Sequence, residues 1–202
     1  MAVTLATRLA QFAASILGNG GDAASARAGL VVPFELIEQK SPTAGQTEID
    51  FTNLPSGFNR FWLEVDGLGV ETDDTSVLMR VQTGGSTWQT TGYGYIGRQG
   101  ALDISASSES YSVAIPLHSV TVPNRVGNAA GEGIDARIDF NAKDTSNVRR
   151  FRVSSALTRA DGLTVNANLA GFYGSTAVIT GVRIYSSAFK AQGNVKLFGI
   201  RA

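Results

Sequence analysis

The sequence contains no cysteine and only one histidine, His118, among its 202 residues. Disulfide bonds and thiolate metal sites are therefore excluded, and a single imidazole cannot form a histidine-rich zinc site. Seventeen basic and seventeen acidic side chains cancel to a formal net charge of zero. This balance argues against a protein that binds nucleic acid through clustered Lys and Arg. We therefore expect no cofactor, no metal-ligand set and no nucleic-acid partner.

The sequence also lacks any apolar run long enough to span a bilayer, and its N-terminus lacks the uninterrupted apolar core of a signal peptide. We expect a protein that folds in a cytoplasm and does not insert into a membrane. What the chain has instead is 23 glycines and 43% hydrophobic residues. This composition predicts a turn-rich β fold with a real core, and the length suits one β domain with a short appendage.

The N-terminus carries the only strong helical pattern in the sequence. Four apolar residues fall at spacings of four, three and four, which places them on one stripe of a helix. They are Leu5, Leu9, Phe12 and Ile16. Such a short helix is marginal alone in water, so we predict that the stripe is an assembly interface with another subunit or chain. The alternative is that it packs on its own β domain.

From about residue 46 the chain changes to short segments in which apolar and polar side chains alternate. The clearest segment runs from Ile134 to Phe140, and the closing stretch from Ala177 to Arg201 reads as two strands and a turn. Nine or ten such strands predict a mainly β fold, an antiparallel jelly-roll-like β-sandwich. We assign residues 1–45 to an N-terminal helical attachment segment and connector, and residues 46–202 to the sandwich.

Three short motifs suggest chemistry but have simpler explanations. Residues 92–97 satisfy the dinucleotide-binding pattern G-x-G-x-x-G, yet no helix can follow them convincingly, so we interpret them as a glycine-rich strand or loop. The loop of residues 66–74 holds four acidic side chains without the ligand spacing of an EF-hand. We favour a solvated loop there, with a calcium site as the alternative. His118 has no G-x-S-x-G partner motif, so we name no catalytic residue.

Two clusters of side chains are candidates for binding. Trp88, Tyr93 and Tyr95 lie close together in sequence, and aromatic rings on loops can stack on sugars. We take them as possible glycan contacts, although the same rings could cover apolar surface of the sandwich. The second cluster holds the arginines at positions 149, 150 and 152, for which we expect cross-strand salt bridges with Asp139 and Asp144.

Two stretches resemble bacteriophage and prophage virion proteins found in tail fibres and related appendages. The first, Ile49 to Trp88, contains FTNLPSG and ends in GGSTW; the second, Ile179 to Ala202, opens with ITG and contains LFGI. A third element, GDAASARAGL at Gly21 to Leu30, is similar to one common near the start of phage tail-fibre chains. It departs from that element at residues 29–31, which read Gly-Leu-Val instead of Leu-Gly-Leu. Residues 98–175 match no motif of the family.

The resemblance implies a structural virion protein of the tail-fibre, spike or head-decoration type. Such a subunit would be made in the host cytoplasm and would form a homotrimer. Its N-terminal segment would attach to other virion proteins, and its sandwich would project outward to contact the host. The alternative function is a carbohydrate-binding module that recognises a host cell-surface glycan. We do not expect an enzyme, because depolymerising spikes generally need long repetitive β-helices and converging carboxylates.

Overall fold

The structure is a computed structural model that describes residues 34–100, 110–118 and 125–200. The predicted assembly stripe of Leu5, Leu9, Phe12 and Ile16 lies outside the described residues. Within them the chain forms twelve β-strands and no helix, so none of these residues forms a helix able to cross a membrane. The strands are β1 (Phe34–Lys40), β2 (Glu48–Thr52), β3 (Arg60–Leu68), β4 (Leu78–Thr83), β5 (Tyr93–Gly100), β6 (Ser110–Ser112), β7 (Ile115–Pro116), β8 (Ile134–Asn141), β9 (Arg149–Thr158), β10 (Thr164–Tyr173), β11 (Ile179–Tyr185) and β12 (Asn194–Ile200).

The strands form two antiparallel sheets. The larger has eight strands in the order β1-β12-β3-β8-β9-β10-β5-β6, and the smaller has four in the order β2-β11-β4-β7. Four neighbouring pairs join an early strand to a late one: β1 to β12, β2 to β11, β3 to β8 and β4 to β7. The remaining strands, β9, β10, β5 and β6, widen the larger sheet beyond β8. The prediction of a mainly β, antiparallel, sandwich-like architecture is confirmed.

One hydrophobic core takes side chains from both sheets. In β8 the predicted inward set of Ile134, Ala136, Ile138 and Phe140 is buried, while Asp135 and Arg137 are exposed. The rings of Phe61 and Phe151 stack against Phe140 from either side, at 5.7 and 5.8 Å between centroids. Each fully buried side chain of this kind contributes about 1.5–3 kcal/mol through the apolar area removed from water. In β8 the alternation seen in the sequence therefore does indicate which face of the strand enters the core.

The larger sheet includes residues that the sequence analysis assigned to a connector. Phe34–Lys40 pairs with β12 as an edge strand, with a bulge between Leu36 and Glu38. Phe34 and Leu36 are 46% and 49% exposed, so β1 does not bury one face as the inner strands do. An edge strand of this kind lacks the clean alternation by which strands are recognised in sequence.

Most of the glycine-rich segment at residues 92–97 lies in β5, which runs from Tyr93 to Gly100, so Gly97 lies within a strand and does not begin a helix. This confirms the interpretation as a strand. The segment does not have the turn into a helix that a dinucleotide-binding motif requires. Gly94 lies opposite Phe172 in the β10–β5 register. A Cβ atom at Gly94 would lie 2.4 Å from the Phe172 ring, so only glycine lets that ring lie across the strand.

Candidate functional site

Tyr93 and Tyr95, two of the three aromatic residues named as possible glycan contacts, face the core. Tyr93 is fully buried and Tyr95 is 5% exposed. The Tyr93 hydroxyl accepts a hydrogen bond from the Val81 amide at 2.9 Å and donates one to the Gln89 carbonyl at 3.2 Å. Burial raises the pKa of the Tyr93 phenol well above its ordinary value. In this structure neither ring is presented to a sugar.

Trp88, the third of these residues, lies apart from them beside the outer face of the smaller sheet. The Arg183 guanidinium covers its half-buried ring at 4.4 Å from the centroid. Arg183 also forms two bonds to the Asp50 carboxylate, of 2.6 and 2.7 Å, and one of 2.5 Å to Glu48. The donors of Arg183 are thus already engaged by carboxylates. The structure therefore does not bring the three aromatic residues together as one binding platform.

The acidic loop of residues 66–74 binds backbone amides of its neighbours. Carboxylate oxygens of Glu71, Asp73 and Asp74 accept hydrogen bonds from the amides of Gly45 at 2.8 Å, Asn128 at 3.1 Å and Arg125 at 2.6 Å, respectively. Across the described residues, no group of three or more His, Cys, Asp or Glu side chains could hold a metal ion. The loop therefore acts as a connection between adjacent surface loops.

His118, the only histidine, is fully buried at the end of the segment after β7. Its Nε2 atom accepts a hydrogen bond from the Val77 amide at 3.2 Å. An acceptor nitrogen carries no proton, so this bond requires the neutral ring with its proton on Nδ1. The imidazole therefore serves as a structural acceptor for a strand that begins nearby.

Arg149 makes bonds that the expected salt bridge did not include. Its side chain is 1% exposed and donates to three main-chain carbonyls, those of Ala177 at 2.8 Å, Thr176 at 2.5 Å and Asp144. Burial lowers the pKa of this guanidinium, while the nearby Asp144 acts in the opposite direction. The expectation of a salt bridge is wrong here, because Arg149 faces inward and ties two loops together instead.

The Asp144 carboxylate is held by its own turn. Ser146 donates to it through both its hydroxyl and its backbone amide, and Asn147 adds a weaker bond of 3.4 Å. These bonds, led by the Ser146 hydroxyl, lower the pKa of Asp144. Its side chain thus shapes the β8–β9 turn and makes no salt bridge with the arginine cluster.

The other two arginines of the cluster, Arg150 and Arg152, lie on the outer face of the larger sheet. They line a depression of about 780 Å³ together with Arg60 and Arg137, and Asp139 is its one carboxylate. Arg152 lies opposite Asp139 in the β8–β9 register. Asp139 nevertheless pairs with Arg137, through two bonds of 3.1 Å each. Four guanidinium groups and one carboxylate leave this surface strongly positive in a chain with no net charge.

Cross-strand partners show how this surface is arranged. One row of neighbouring residues crosses six strands of the larger sheet, from aromatic side chains through charges to apolar ones. The row runs Phe198, Trp62, Asp139, Arg152, Ala170 and Ile96. Arg60, on β3, lies opposite Asn141 of β8, and Arg150 lies opposite Phe172 of β10. The positive centre is thus bordered on each side by apolar side chains.

Trp62 forms the aromatic border and is itself well covered. Its ring stacks on Phe198 at 4.7 Å, contacts Phe34 at 5.2 Å, and receives the Arg137 guanidinium at 4.6 Å. Only 9% of Trp62 is exposed. Arg137 is therefore fixed by both a ring and a carboxylate, which holds its position at the rim of the depression.

Compared with known proteins, the chain matches no protein family, no curated protein and no solved structure. The candidate site therefore rests on its own geometry. Sequence reasoning identifies Arg60, Arg137 and Arg152 as outward-facing from the alternation in their strands. It does not show that β3, β8 and β9 are neighbours, because strand order follows from contacts between distant parts of the chain. The sequence pattern therefore indicates that these arginines face outward, but it does not indicate that they lie close together.

Proposed function

We propose that this chain is a non-enzymatic structural subunit of a phage or phage-like particle, of the tail-fibre, spike or head-decoration type. In this proposal the N-terminal segment attaches the subunit to other virion proteins or forms a homotrimer. The sandwich projects outward and contacts the host.

The observation that carries this proposal is where the two resembling stretches lie in the fold. The first, Ile49 to Trp88, supplies most of β2 and all of β3 and β4, and the second, from Ile179 onward, supplies β11 and β12. β11 lies between β2 and β4, and β12 lies beside β3. Stretches far apart in the chain therefore make one contiguous framework. That is expected if the resemblance reflects a shared domain.

The strand pairing supports a finer description of that framework. When β1, β2, β3 and β4 pair in turn with β12, β11, β8 and β7, and the members alternate between sheets, the chain follows the course of a jelly roll. Jelly rolls are common in viral coat proteins. The strands β6 to β10 come from the middle of the chain, which the resemblance does not cover, and β9 and β10 extend the larger sheet.

Light scattering on the purified chain tests the assembly part of the proposal. We expect the full chain to give about three times its mass of 21.2 kDa, and a chain lacking residues 1–21 to be monomeric. The sandwich of the shortened chain should keep its β circular dichroism spectrum. A monomeric full chain would contradict the homotrimer.

Incorporation into particles tests the attachment part. The same deletion, introduced into the producing cells, should leave the shortened chain in the soluble fraction while the full chain sediments with the particle. Equal incorporation of both chains would remove the N-terminal segment from this role.

A carbohydrate-binding function is the second candidate. Tyr93 and Tyr95 are buried, so in this structure they offer no surface on which a sugar could stack. The observation that favours this function is the open, arginine-lined depression on the outer face of the larger sheet. A glycan array with Trp88→Ala as a variant tests whether Trp88 has any part in binding. Unchanged binding would restrict glycan contact to the depression.

A further inference from the structure

We propose that the depression on the outer face of the larger sheet binds an acidic polysaccharide by holding the carboxylates of that polysaccharide. Arg60, Arg150 and Arg152 are the groups that would hold the anionic polymer. This inference rests on carbohydrate binding, the second candidate function, and supplies the class of glycan and the residues that contact it.

The three arginines carry charge that the protein does not neutralise. Arg60, Arg150 and Arg152 are exposed, and none of them makes an ion pair or hydrogen bond within the part of the chain that the structure describes. The carboxylate nearest to them, Asp139, already holds Arg137. Like charges collected on adjacent strands oppose each other, so an anion that binds here relieves repulsion as well as forming new bonds. Guanidinium forks pair with carboxylates through two parallel hydrogen bonds.

The spacing of these charges suits a repeating ligand. Arg150 and Arg152 alternate along one strand, which places their Cα atoms about 7 Å apart. Arg60 lies across β8 from β9, about 10 Å away by the usual spacing of neighbouring strands. A single small anion would reach only one or two of these groups. A polymer with a carboxylate on each sugar, or on alternate sugars, can contact all three.

The borders of the depression favour sugars as the carrier of these carboxylates. Ile96 is 46% exposed, and the Phe172 ring lies across Gly94 beside it. Both present apolar surface on which the C–H faces of pyranose rings pack. At the aromatic border, Trp62 is covered by Arg137 and Phe198. Single-stranded nucleic acid needs open aromatic faces for its bases, so this surface suits a polysaccharide better.

The acidic side chains farther along the same face set the path of the polymer. Glu64, Asp66 and Asp135 line the adjoining part of this surface. They would repel an anionic chain that ran lengthwise along the strands. The ligand is therefore expected to cross the strands, from Arg60 over Arg150 toward Phe172, with Arg152 beside this path.

Isothermal titration calorimetry with the purified full chain tests the inference. The probes are polygalacturonate, alginate and hyaluronate, and fully methyl-esterified polygalacturonate serves as the uncharged polymer with the same backbone. We expect at least one acidic polymer to bind, its affinity to fall as salt increases, and the ester not to bind. The double variant Arg150→Gln/Arg152→Gln should bind at least about tenfold more weakly.

Lys196→Gln is the matched control, because it removes one positive charge from the same sheet face. Lys196 pairs with Glu64 and Asp66, outside the depression. The Lys196→Gln variant should therefore bind the acidic polysaccharide with the same affinity as the unmodified chain. Unchanged melting temperatures establish that all variants are folded.

Four results would overturn the inference. The first is that none of the acidic polymers binds at low salt. The second is that the double variant binds as well as Lys196→Gln. The third is that single-stranded DNA of matched charge binds at least as tightly as the polysaccharide. Equal binding of the acid and the ester would also overturn it, while leaving a carbohydrate-binding function in place.

Discussion

Arg149 offers the sharpest test of how this fold is held together. Its guanidinium donates to the carbonyls of Asp144, Thr176 and Ala177. It thereby joins the β8–β9 turn to the loop before β11. The cluster of arginines in the sequence suggested surface salt bridges, whereas this member is a buried clamp. Its removal should therefore reduce stability much more than removal of its neighbours.

The expected magnitude follows from what surrounds the three carbonyls. Hydrogen bonds from a charged donor contribute about 1.5–3 kcal/mol each when the partner is buried. Thr176 and Ala177 are exposed residues, so water can replace part of what the guanidinium supplies. We therefore expect Arg149→Met to lower the free energy of unfolding by about 2–4 kcal/mol. Arg149→Ala should cost about 1 kcal/mol more, because the buried aliphatic stem is lost as well.

Urea unfolding followed by the fluorescence of the two tryptophans measures these differences. Arg150→Ala is the control, since this neighbouring arginine is exposed and should change stability by no more than about 0.5 kcal/mol. The reasoning would be refuted if Arg149→Met were as stable as the control. A large loss in the control with none in Arg149→Met would mean that the two arginines are placed on the wrong faces.

Two further predictions concern buried or close-packed positions. Tyr93→Phe removes a hydroxyl that satisfies both Val81 and Gln89, so unfolding at neutral pH should become easier by about 1–2 kcal/mol. Because the folded-state pKa of Tyr93 is raised above its ordinary 10.0, the unfolded chain releases this proton first. The contribution of Tyr93 is therefore complete below about pH 10 and is lost as the pH rises further. Urea titrations at pH 8 to 11 should show a flatter alkaline decline for Tyr93→Phe, and an identical decline would contradict the buried phenol. Gly193→Ala should lower the free energy of unfolding by roughly 3 kcal/mol or more. Gly193 has a φ of 79°, and a Cβ atom there would lie 2.5 Å from the Asp66 carbonyl oxygen. A melting temperature within a degree of that of the unmodified chain would refute this close contact.

The strands with a buried and an exposed face could be predicted from sequence. In β8, and likewise in β9 and β12, every second residue is buried. In two other strands, β1 and β5, the sequence pattern does not show which side chains are buried, for physical reasons. β1 is an edge strand that buries little, so its residues read as a connector. In β5 the inward residues are tyrosines and an outward one is Ile96, so polarity does not report which face is buried.

The candidate site was only partly accessible to sequence reasoning. The alternation within β3, β8 and β9 is enough to indicate that Arg60, Arg137 and Arg152 face outward, but their meeting depends on these three strands being neighbours. The arginine that forms an ion pair with Asp139 could not be predicted from the sequence either. Arg152 lies opposite it across the strands, yet Arg137, two residues away on the same strand, forms the ion pair. Side-chain geometry and the stacking of Arg137 on Trp62 decide this choice.

Immunogold electron microscopy of intact particles tests the proposed function most directly. Antibodies raised against residues 34–202 should label the outside of particles released by cells that encode this chain. The account predicts gold at regular positions on the particle exterior, because the sandwich projects outward from its attachment. Intact particles that carry no label, from lysates in which the same antibody detects the chain as a free protein, would contradict it.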